Sequence, residues 1–203
     1  MINILISIKP EHCCNILNRD KILEIRTTCP AEWKKYLDGK TNIKPKPCKV
    51  YIYCTKGKHD NWLRKYPFSI KESFYQLCDD NFNCLNGKVV AEFILNEIDK
   101  IERDLNDWLP KNRYETTAQQ LKNSCLTEQK LWGYGKGKTL YAWHIDNLII
   151  YDKPKELSEF KVYDKTYDSV GAFGWTFDEK EKYFPLKRPP QSWCYVEGIG
   201  EQV

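Results

Sequence analysis

Long apolar runs are missing from this sequence of 203 residues. A helix that crosses a bilayer needs roughly 18 or more consecutive apolar residues, and no run in the chain approaches that length. The apolar start ends at Lys9, and it lacks the basic leader and the small-residue cleavage site of a signal peptide. We therefore expect a cytoplasmic protein that does not contact a membrane.

Metal-ligand spacings are missing as well. No C-x-x-C pair occurs, and the three histidines, His12, His59 and His144, are far apart in the chain, whereas a structural zinc site needs four converging ligands at short spacings. The nine cysteines are an odd number, and Cys13 and Cys14 are adjacent, which does not fit a framework of paired disulfides. The sequence predicts no metal, no cofactor, and reduced thiols that are mostly buried.

Two catalytic motifs are incomplete. The segment 133–139, Gly-Tyr-Gly-Lys-Gly-Lys-Thr, resembles a phosphate-binding loop, but its glycine spacing is one residue short and a predicted helix precedes it. We interpret it as a helix end followed by a turn, with lysines that can touch a phosphate. His144 and Asp146 lie on one face of a predicted strand as a base and its orienting carboxylate, but no G-x-S-x-G nucleophile motif accompanies them.

The composition is that of a folded globular chain. Hydrophobic residues make up 41% of the sequence and charged residues 30%, and neither an internal repeat nor a low-complexity segment is visible. This length suits one domain with insertions. We therefore predict a single domain over residues 1–203, with insertions at about 55–87 and 161–187.

Positive charge is concentrated near the start of the chain. Residues 1–58 hold 12 Lys and Arg against 5 Asp and Glu, a net charge of +7, whereas the remainder holds 20 against 23, a net charge of −3. A basic block of this kind is expected of a phosphate-binding surface. A lysine-rich solubilising face is the alternative.

Strands are predicted to outnumber helices. Alternating isoleucines predict a strand that ends at Ile8, and Pro10 suits the first turn of a helix that buries Cys13, Ile16 and Leu17. Further strands are predicted at 50–54, 89–95, 140–151 and near 196, and further helices after the caps Thr116 or Thr117 and Thr127. Short helices between unevenly spaced strands indicate an α+β fold, a curved sheet or a small barrel with helices at its ends.

The segment 18–26, Asn-Arg-Asp-Lys-Ile-Leu-Glu-Ile-Arg, puts three charged groups beside a short strand. Alternation along the strand sends two apolar side chains inward and sends Glu24 and Arg26 to the other face. Lys21 is expected at the turn that precedes them. An ammonium, a carboxylate and a guanidinium at one strand edge can receive a phosphate or the polar edge of a base. The alternative is an ordinary solvated face with surface ion pairs.

Several segments together resemble the ASCH domain, a family of the PUA-like superfamily that is marked by a G-x-K-x-x-E-x-R pattern. The segments that carry the resemblance are 4–10, 18–26, 50–53, 89–93, 141–145, 151–154 and 188–193. The resemblance implies a PUA-like small β-barrel with short flanking helices and two loop insertions. Arg19 stands where the family has a glycine, so the left-handed angles of this turn are expected at Asn18 or Asp20 instead.

The resemblance also implies a ligand, which is RNA, another single-stranded nucleic acid or a modified nucleobase, bound in a basic cleft that holds Lys21, Glu24 and Arg26. The candidate binding residues are Lys9, Lys21, Glu24, Arg26, Tyr53, Trp143, His144, Gln191, Ser192 and Trp193. Trp143, Trp193 or Tyr53 would stack on a base.

Two other functions stay open. The first is a hydrolase that acts on a nucleoside or RNA, as an amidohydrolase or a ribonuclease, with Lys21 as general base and Glu24 as proton carrier. In the amidohydrolase relatives a threonine occupies the place of Glu24, so this chain departs from their pattern. The second is a phage or host interaction module that contacts a protein partner through residues 55–87.

Overall fold

The computed structural model describes residues 3–56, 85–105, 112–163 and 183–197. The chain divides into two compact units. The first unit comprises Met1–Cys14, Cys48–Phe93 and Ile149–Val203, and the second comprises Asn15–Pro47 and Ile94–Leu148. The described part is α+β, as predicted, with three sheets and short helices. The closed barrel stays a prediction.

The helices and strands have the following bounds. The strands are β1 (Asn3–Ile8), β2 (Leu23–Arg26), β3 (Cys48–Cys54), β4 (Val89–Leu95), β5 (Ile98–Ile101), β6 (Leu140–His144), β7 (Asp146–Lys155), β8 (Lys161–Tyr163), β9 (Tyr183–Pro185) and β10 (Trp193–Val196). The helices are α1 (Pro10–Leu17), α2 (Ala31–Leu37), α3 (Ala118–Ser124) and α4 (Glu128–Gly135), with a short 3-10 helix at Leu157–Glu159.

A five-stranded sheet in the order β10-β1-β3-β4-β7 supplies the core of the first unit. β1 is parallel to β3 and antiparallel to β10, and every residue of β1 is buried, as expected of a strand that is covered on both faces. Tyr51 packs edge-on against Phe160, with the ring centroids 4.8 Å apart. The core cluster is Leu5, Tyr51, Tyr53, Val89, Phe160 and Val196.

The second unit contains an antiparallel sheet in the order β2-β6-β5. Its apolar cluster is Leu23, Ile25, Ile101, Tyr114, Leu131, Leu140 and Ala142. Thr117, one of the two threonines that the sequence offered, forms a capping box with Gln120 at the start of α3. Thr127 caps α4 as predicted, and its hydroxyl accepts a hydrogen bond from the Lys130 amide. These caps satisfy amides that the first helical turn leaves without a partner.

Two predictions about the backbone are wrong. The single strand predicted over 140–151 is two strands in different sheets, β6 and β7, interrupted at Ile145. The Ile145 amide donates to the carbonyl oxygen of Ile22, and Asn147 has a left-handed φ of 49°. The left-handed residue in the turn before Lys21 is Arg19 itself, with φ of 65°, because neighbouring hydrogen bonds hold the turn in that conformation.

Both predicted insertions lie largely outside the described residues. In the first insertion, residues 57–84 are not described. The interaction module predicted for residues 55–87 therefore stays a prediction. Of the second, the two ends are described, and they pair as the antiparallel strands β8 and β9. No helix among the described residues is long and apolar enough to span a membrane.

Candidate functional site

The structure brings together the side chains of Lys21, Glu24 and Arg26 in the second unit. Lys21 Nζ lies 3.3 Å from Glu24 Oε2, and Arg26 Nε lies 3.0 Å from Glu24 Oε1. All three residues are buried, with 2%, 5% and 7% of their surfaces exposed. The alternation along β2 holds, since Leu23 and Ile25 join the apolar cluster of this unit. The alternative of an ordinary solvated face is wrong, because both faces of the strand are covered.

Local backbone contacts position this cluster. The amide of Lys21 donates to the carbonyl oxygen of Asn15, and its Nζ donates to the carbonyl oxygen of Ser124 at 2.8 Å, at the end of α3. Glu24 and Arg26 lie on β2, which pairs with β6. An ammonium with two acceptors within 3.3 Å must give up a proton before it can act as a base.

The other two site residues predicted for this unit are Trp143 and His144. Trp143 is fully buried, so in this structure its ring offers no free face to a base. His144 Nε2 lies 3.1 Å from Asp99 Oδ2 on the neighbouring strand β5, and Gln120 donates to the same oxygen. The sequence suggested Asp146 as the orienting carboxylate, because it could not show that β5 would pair with β6.

The remaining predicted residues belong to the first unit: Lys9, Tyr53, Gln191, Ser192 and Trp193. Lys9 and Gln191 are exposed. Trp193 is half-buried and packs edge-on against Tyr195, with the ring centroids 5.4 Å apart. The ten predicted binding residues are thus divided equally between the two units.

A cavity of about 750 Å³ lies in the first unit. It has three principal walls: the end of β3 with the residues that follow it, the 3-10 helix, and the segment after β9. Its lining residues are Tyr53, Thr55, Lys56, Gly87, Glu156, Leu157, Ser158, Pro185, Leu186, Lys187 and Pro189. Among them only Tyr53 was predicted as a site residue. Sequence reasoning missed the other walls because they come from a turn and from segments more than 100 positions later in the chain.

Close packing fixes the wall next to β3. The amide of Thr55 donates to the carbonyl oxygen of Ile8 at 2.9 Å, and the side chain of Lys56 crosses Gly87, where a Cβ would lie 2.8 Å from Lys56 Cε. Gly87 has a φ of +79°, in the left-handed region that favours glycine. Glu156, which also lines the cavity, forms an ion pair with Lys88.

The cavity presents neutral hydroxyls beside charged groups. Burial, followed by the charges of Cys54 and Glu156, raises the pKa of Tyr53, so its phenol keeps its proton at neutral pH and can donate a hydrogen bond. Thr55 and Ser158 add hydroxyls, Lys56 and Lys187 add ammonium groups, and Glu156 adds a carboxylate. These groups suit a ligand with both an anionic and a polar aromatic part.

Three of the described cysteines, Cys14, Cys29 and Cys194, are poor nucleophiles. Burial raises the pKa of the Cys29 thiol to about 12 and that of Cys194 to about 11, and it raises the pKa of Cys14 further still. A thiol needs its thiolate form to attack a substrate or bind a metal. No group of three or more His, Cys, Asp or Glu side chains within the described ranges is placed to hold a metal ion.

Comparison with known proteins gave matches among solved structures alone: no family model matches the chain, and no curated protein does. Three of the similar structures are of ASCH from Zymomonas mobilis. A serine-to-alanine mutant is 16% identical with a TM-score of 0.47, and the match covers 96% of this chain and 88% of that one. A second ASCH structure is 16% identical with a TM-score of 0.43, and the match covers 96% of this chain and 87% of that one. A tyrosine-to-phenylalanine mutant is 14% identical with a TM-score of 0.42, covering 96% and 90%.

ASCH is the family that the sequence motifs resemble. At TM-scores below 0.5 the similarity assigns no activity and no role to any residue of this chain. The candidate sites described above therefore stand on their own geometry.

Proposed function

We propose that this chain binds single-stranded RNA and that the cavity of the first unit receives part of it. The observation that supports the proposal is the cavity of about 750 Å³ with two lysines and three hydroxyl-bearing residues in its lining. Pockets for small ligands typically measure about 300–1,000 Å³, so the cavity has room for a nucleotide unit, modified or not.

The lining groups match the parts of a nucleotide. The ammonium groups of Lys56 and Lys187 attract phosphate oxygens. The phenol of Tyr53 and the hydroxyls can donate to base or sugar oxygens, and the Glu156 carboxylate can accept from an exocyclic amino group or a 2′-hydroxyl. Leu157, Leu186 and the prolines supply apolar surface for a base or a ribose.

The distribution of charge supports the same class of ligand. Lys56 belongs to the N-terminal block of residues 1–58, whose net charge is +7. A basic block raises the local concentration of a polyanion and speeds its association. A phosphate-binding surface of this kind loses affinity as salt rises, because binding releases counterions from the nucleic acid.

The test is fluorescence anisotropy with a labelled single-stranded RNA over a series of salt concentrations. The double variant Lys56→Ala/Lys187→Ala is expected to bind more weakly and to reduce the slope of log K against log salt by about 1.4, since each lost phosphate contact contributes about 0.7 for single strands. The matched control is Lys122→Ala/Lys153→Ala, which removes two exposed lysines that do not line the cavity. Affinity that is independent of salt, or an equal loss in the control, would contradict the proposal.

A second candidate function is the hydrolysis of a nucleoside or RNA at the Lys21 cluster. It is favoured by the burial of an ion pair, Lys21 with Glu24 at 3.3 Å, because removing charges from water costs free energy and such groups concentrate at functional sites. Lys21 would act as general base, and Glu24 would carry the proton.

Purified protein incubated with N4-acetylcytidine, other modified nucleosides and RNA tests this second function by chromatography of the products. Glu24→Gln should abolish product formation while the far-UV circular dichroism stays that of the parent. Absence of product from the parent, or product that survives Glu24→Gln, would exclude hydrolysis at this cluster.

A further inference from the structure

A basic surface lies in the second unit at the C-terminal end of α4. The helix ends at Gly135, and the next two residues, Lys136 and Gly137, have left-handed φ values of 49° and 79°. Lys136 and Lys138 are exposed. We call these residues, together with Arg103 and two aromatic residues of α4, Trp132 and Tyr134, the α4 basic surface.

The phenol of Tyr114 fixes the backbone of this turn. Its oxygen accepts a hydrogen bond from the Gly137 amide at 3.1 Å and donates to the carbonyl oxygen of Lys138 at 2.9 Å. A Cβ at Gly135 would lie 2.0 Å from that oxygen, so only glycine fits there. The Gly137 amide is therefore already bonded, and the turn offers a ligand its lysine side chains rather than a phosphate-binding loop of free amides.

One cation of this surface lies over a partly buried indole. The guanidinium carbon of Arg103 lies 5.7 Å from the ring centroid of Trp132, and a Cβ at Gly137 would lie 3.3 Å from the same ring. Within the described ranges, no ion pair is formed by Arg103, Lys136 or Lys138, whereas the nearby Arg113 pairs with Asp104 and Glu128. No carboxylate of the described residues therefore lies within ion-pair distance of these three cations.

The backbone at Lys136 carries strain that a glycine would avoid. A left-handed φ brings the Cβ of an L-residue close to the following carbonyl oxygen, and such positions cluster where a side chain has a function. The favourable interaction of a lysine with the helix C-terminus is the competing explanation. It accounts for stability but not for binding, so an experiment can separate the two.

We propose that the α4 basic surface is an RNA contact in its own right, in which Arg103, Lys136 and Lys138 bind phosphates of a single strand and Tyr134 stacks on a base. Tyr134 has 46% of its surface exposed, and cations combined with an exposed aromatic ring are the usual means of binding single strands. The inference rests on the proposed function, since it requires that the chain binds RNA. It adds a surface in the second unit to the cavity in the first.

The experiment measures binding of a labelled oligouridine of about 16 nucleotides, the upper end of a typical single-strand site. The variant Arg103→Gln/Lys136→Gly/Lys138→Gln removes the three charges, and glycine keeps the left-handed turn at position 136 without strain. We expect the salt slope to fall by about 2 and the affinity at low salt to fall roughly tenfold or more, because three phosphate contacts are lost. Tyr134→Ala should weaken binding without changing the salt slope.

The triple variant (the surface variant) is compared with Lys56→Ala/Lys187→Ala (the cavity variant). This comparison distinguishes failure of the inference from failure of the proposed function. Loss of binding in the cavity variant but not in the surface variant overturns the α4 basic surface alone. Loss in the surface variant but not in the cavity variant supports it and overturns the cavity as the site.

If the parent protein does not bind RNA, both proposals fail. A lower midpoint of thermal unfolding with unchanged RNA affinity in the surface variant means that the lysines serve the helix end, which overturns the inference. Should the triple variant not fold, Lys138→Gln alone is compared with Lys138→Arg. The arginine variant is then expected to keep the affinity of the parent, and an equal loss in both would overturn the inference.

Discussion

Glu24 is the residue on which the buried cluster of the second unit depends. Its two carboxylate oxygens face different cations, Lys21 and Arg26. Glu24→Gln leaves those cations buried without the charge that compensates them, so we expect the free energy of unfolding to fall by about 3–5 kcal/mol. Urea unfolding followed by tryptophan fluorescence measures this change.

Glu115→Gln is the control for the Glu24 prediction. Glu115 is exposed, and a surface substitution of this kind should change stability by no more than about 0.5 kcal/mol. If Glu24→Gln costs as little as the control, the cluster is open to water in solution, and the buried geometry described above is wrong.

Tyr151 forms a hydrogen bond to a carboxylate in the first unit. Its hydroxyl donates to Glu92 Oε2 at 2.5 Å, while Lys49 Nζ lies 2.8 Å from the other carboxylate oxygen. Tyr151→Phe removes a hydrogen bond to a charged group, so we expect a loss of about 1.5–3 kcal/mol at pH 7. Tyr134→Phe, at an exposed position, serves as the control and should have little effect.

The Tyr151 contact also predicts a dependence on pH. Burial, followed by the Glu92 contact, raises the pKa of Tyr151 above the value that it has in the unfolded chain, which is about 10. The stabilisation is therefore complete below about pH 10 and is lost as pH rises further, because the unfolded tyrosine releases its proton first. The difference in stability between parent and Tyr151→Phe should shrink above pH 10, and a constant difference would contradict this assignment.

At the scale of elements, helix α4 contains two glycines with opposite surroundings. A Cβ at Gly133 would meet nothing within 4 Å, whereas one at Gly135 would lie 2.0 Å from the Tyr114 hydroxyl oxygen. Gly133→Ala should therefore stabilise the protein by about 0.5–1 kcal/mol through helix propensity. Gly135→Ala should destabilise it, because Tyr114 must move and lose its bonds to the turn.

Thermal unfolding of the two alanine variants, compared with the parent, tests this contrast. Both variants add the same methyl group to the same helix, so each is the control for the other. Equal shifts in the unfolding midpoint would mean that Tyr114 does not pack against Gly135 in solution.

Periodicity and capping residues predicted most elements of this chain. Isoleucines at every second position predicted β1, and α1 begins at Pro10 with Cys13 and Ile16 buried as predicted. Such local signals decide the type of an element because backbone geometry fixes the spacing of side chains on one face. They did not separate β6 from β7, because the two strands form one apolar run and only their hydrogen-bond partners in different sheets divide them.

At the scale of the whole molecule, the thiols give a test that does not depend on any proposed site. The described cysteines are all free: Cys13, Cys14, Cys29, Cys48, Cys54, Cys125 and Cys194. We expect the midpoint of thermal unfolding to be the same with and without a reducing agent. Native protein should react with a thiol reagent at Cys14 and Cys29 much more slowly than unfolded protein, since burial raises their pKa values.

Mass spectrometry of the labelled peptides identifies which cysteines have reacted. Cys48 is half-buried and is the internal comparison. Rapid labelling of Cys14 in the folded protein, or a lower unfolding midpoint in the presence of reductant, would show that the thiols are not in the state described here.

The sequence by itself determined the α+β class, the caps of the helices and the spacing that lets Lys21 and Arg26 both reach Glu24, since each follows from contacts between residues near one another in the chain. Tertiary structure alone decided that this cluster is buried, that Asp99 rather than Asp146 faces His144, and that residues as distant as Tyr53 and Lys187 line one cavity. The physical reason is that burial and convergence depend on which strands pair and what covers them. The periodicity of a segment does not indicate which other segments it pairs with or packs against.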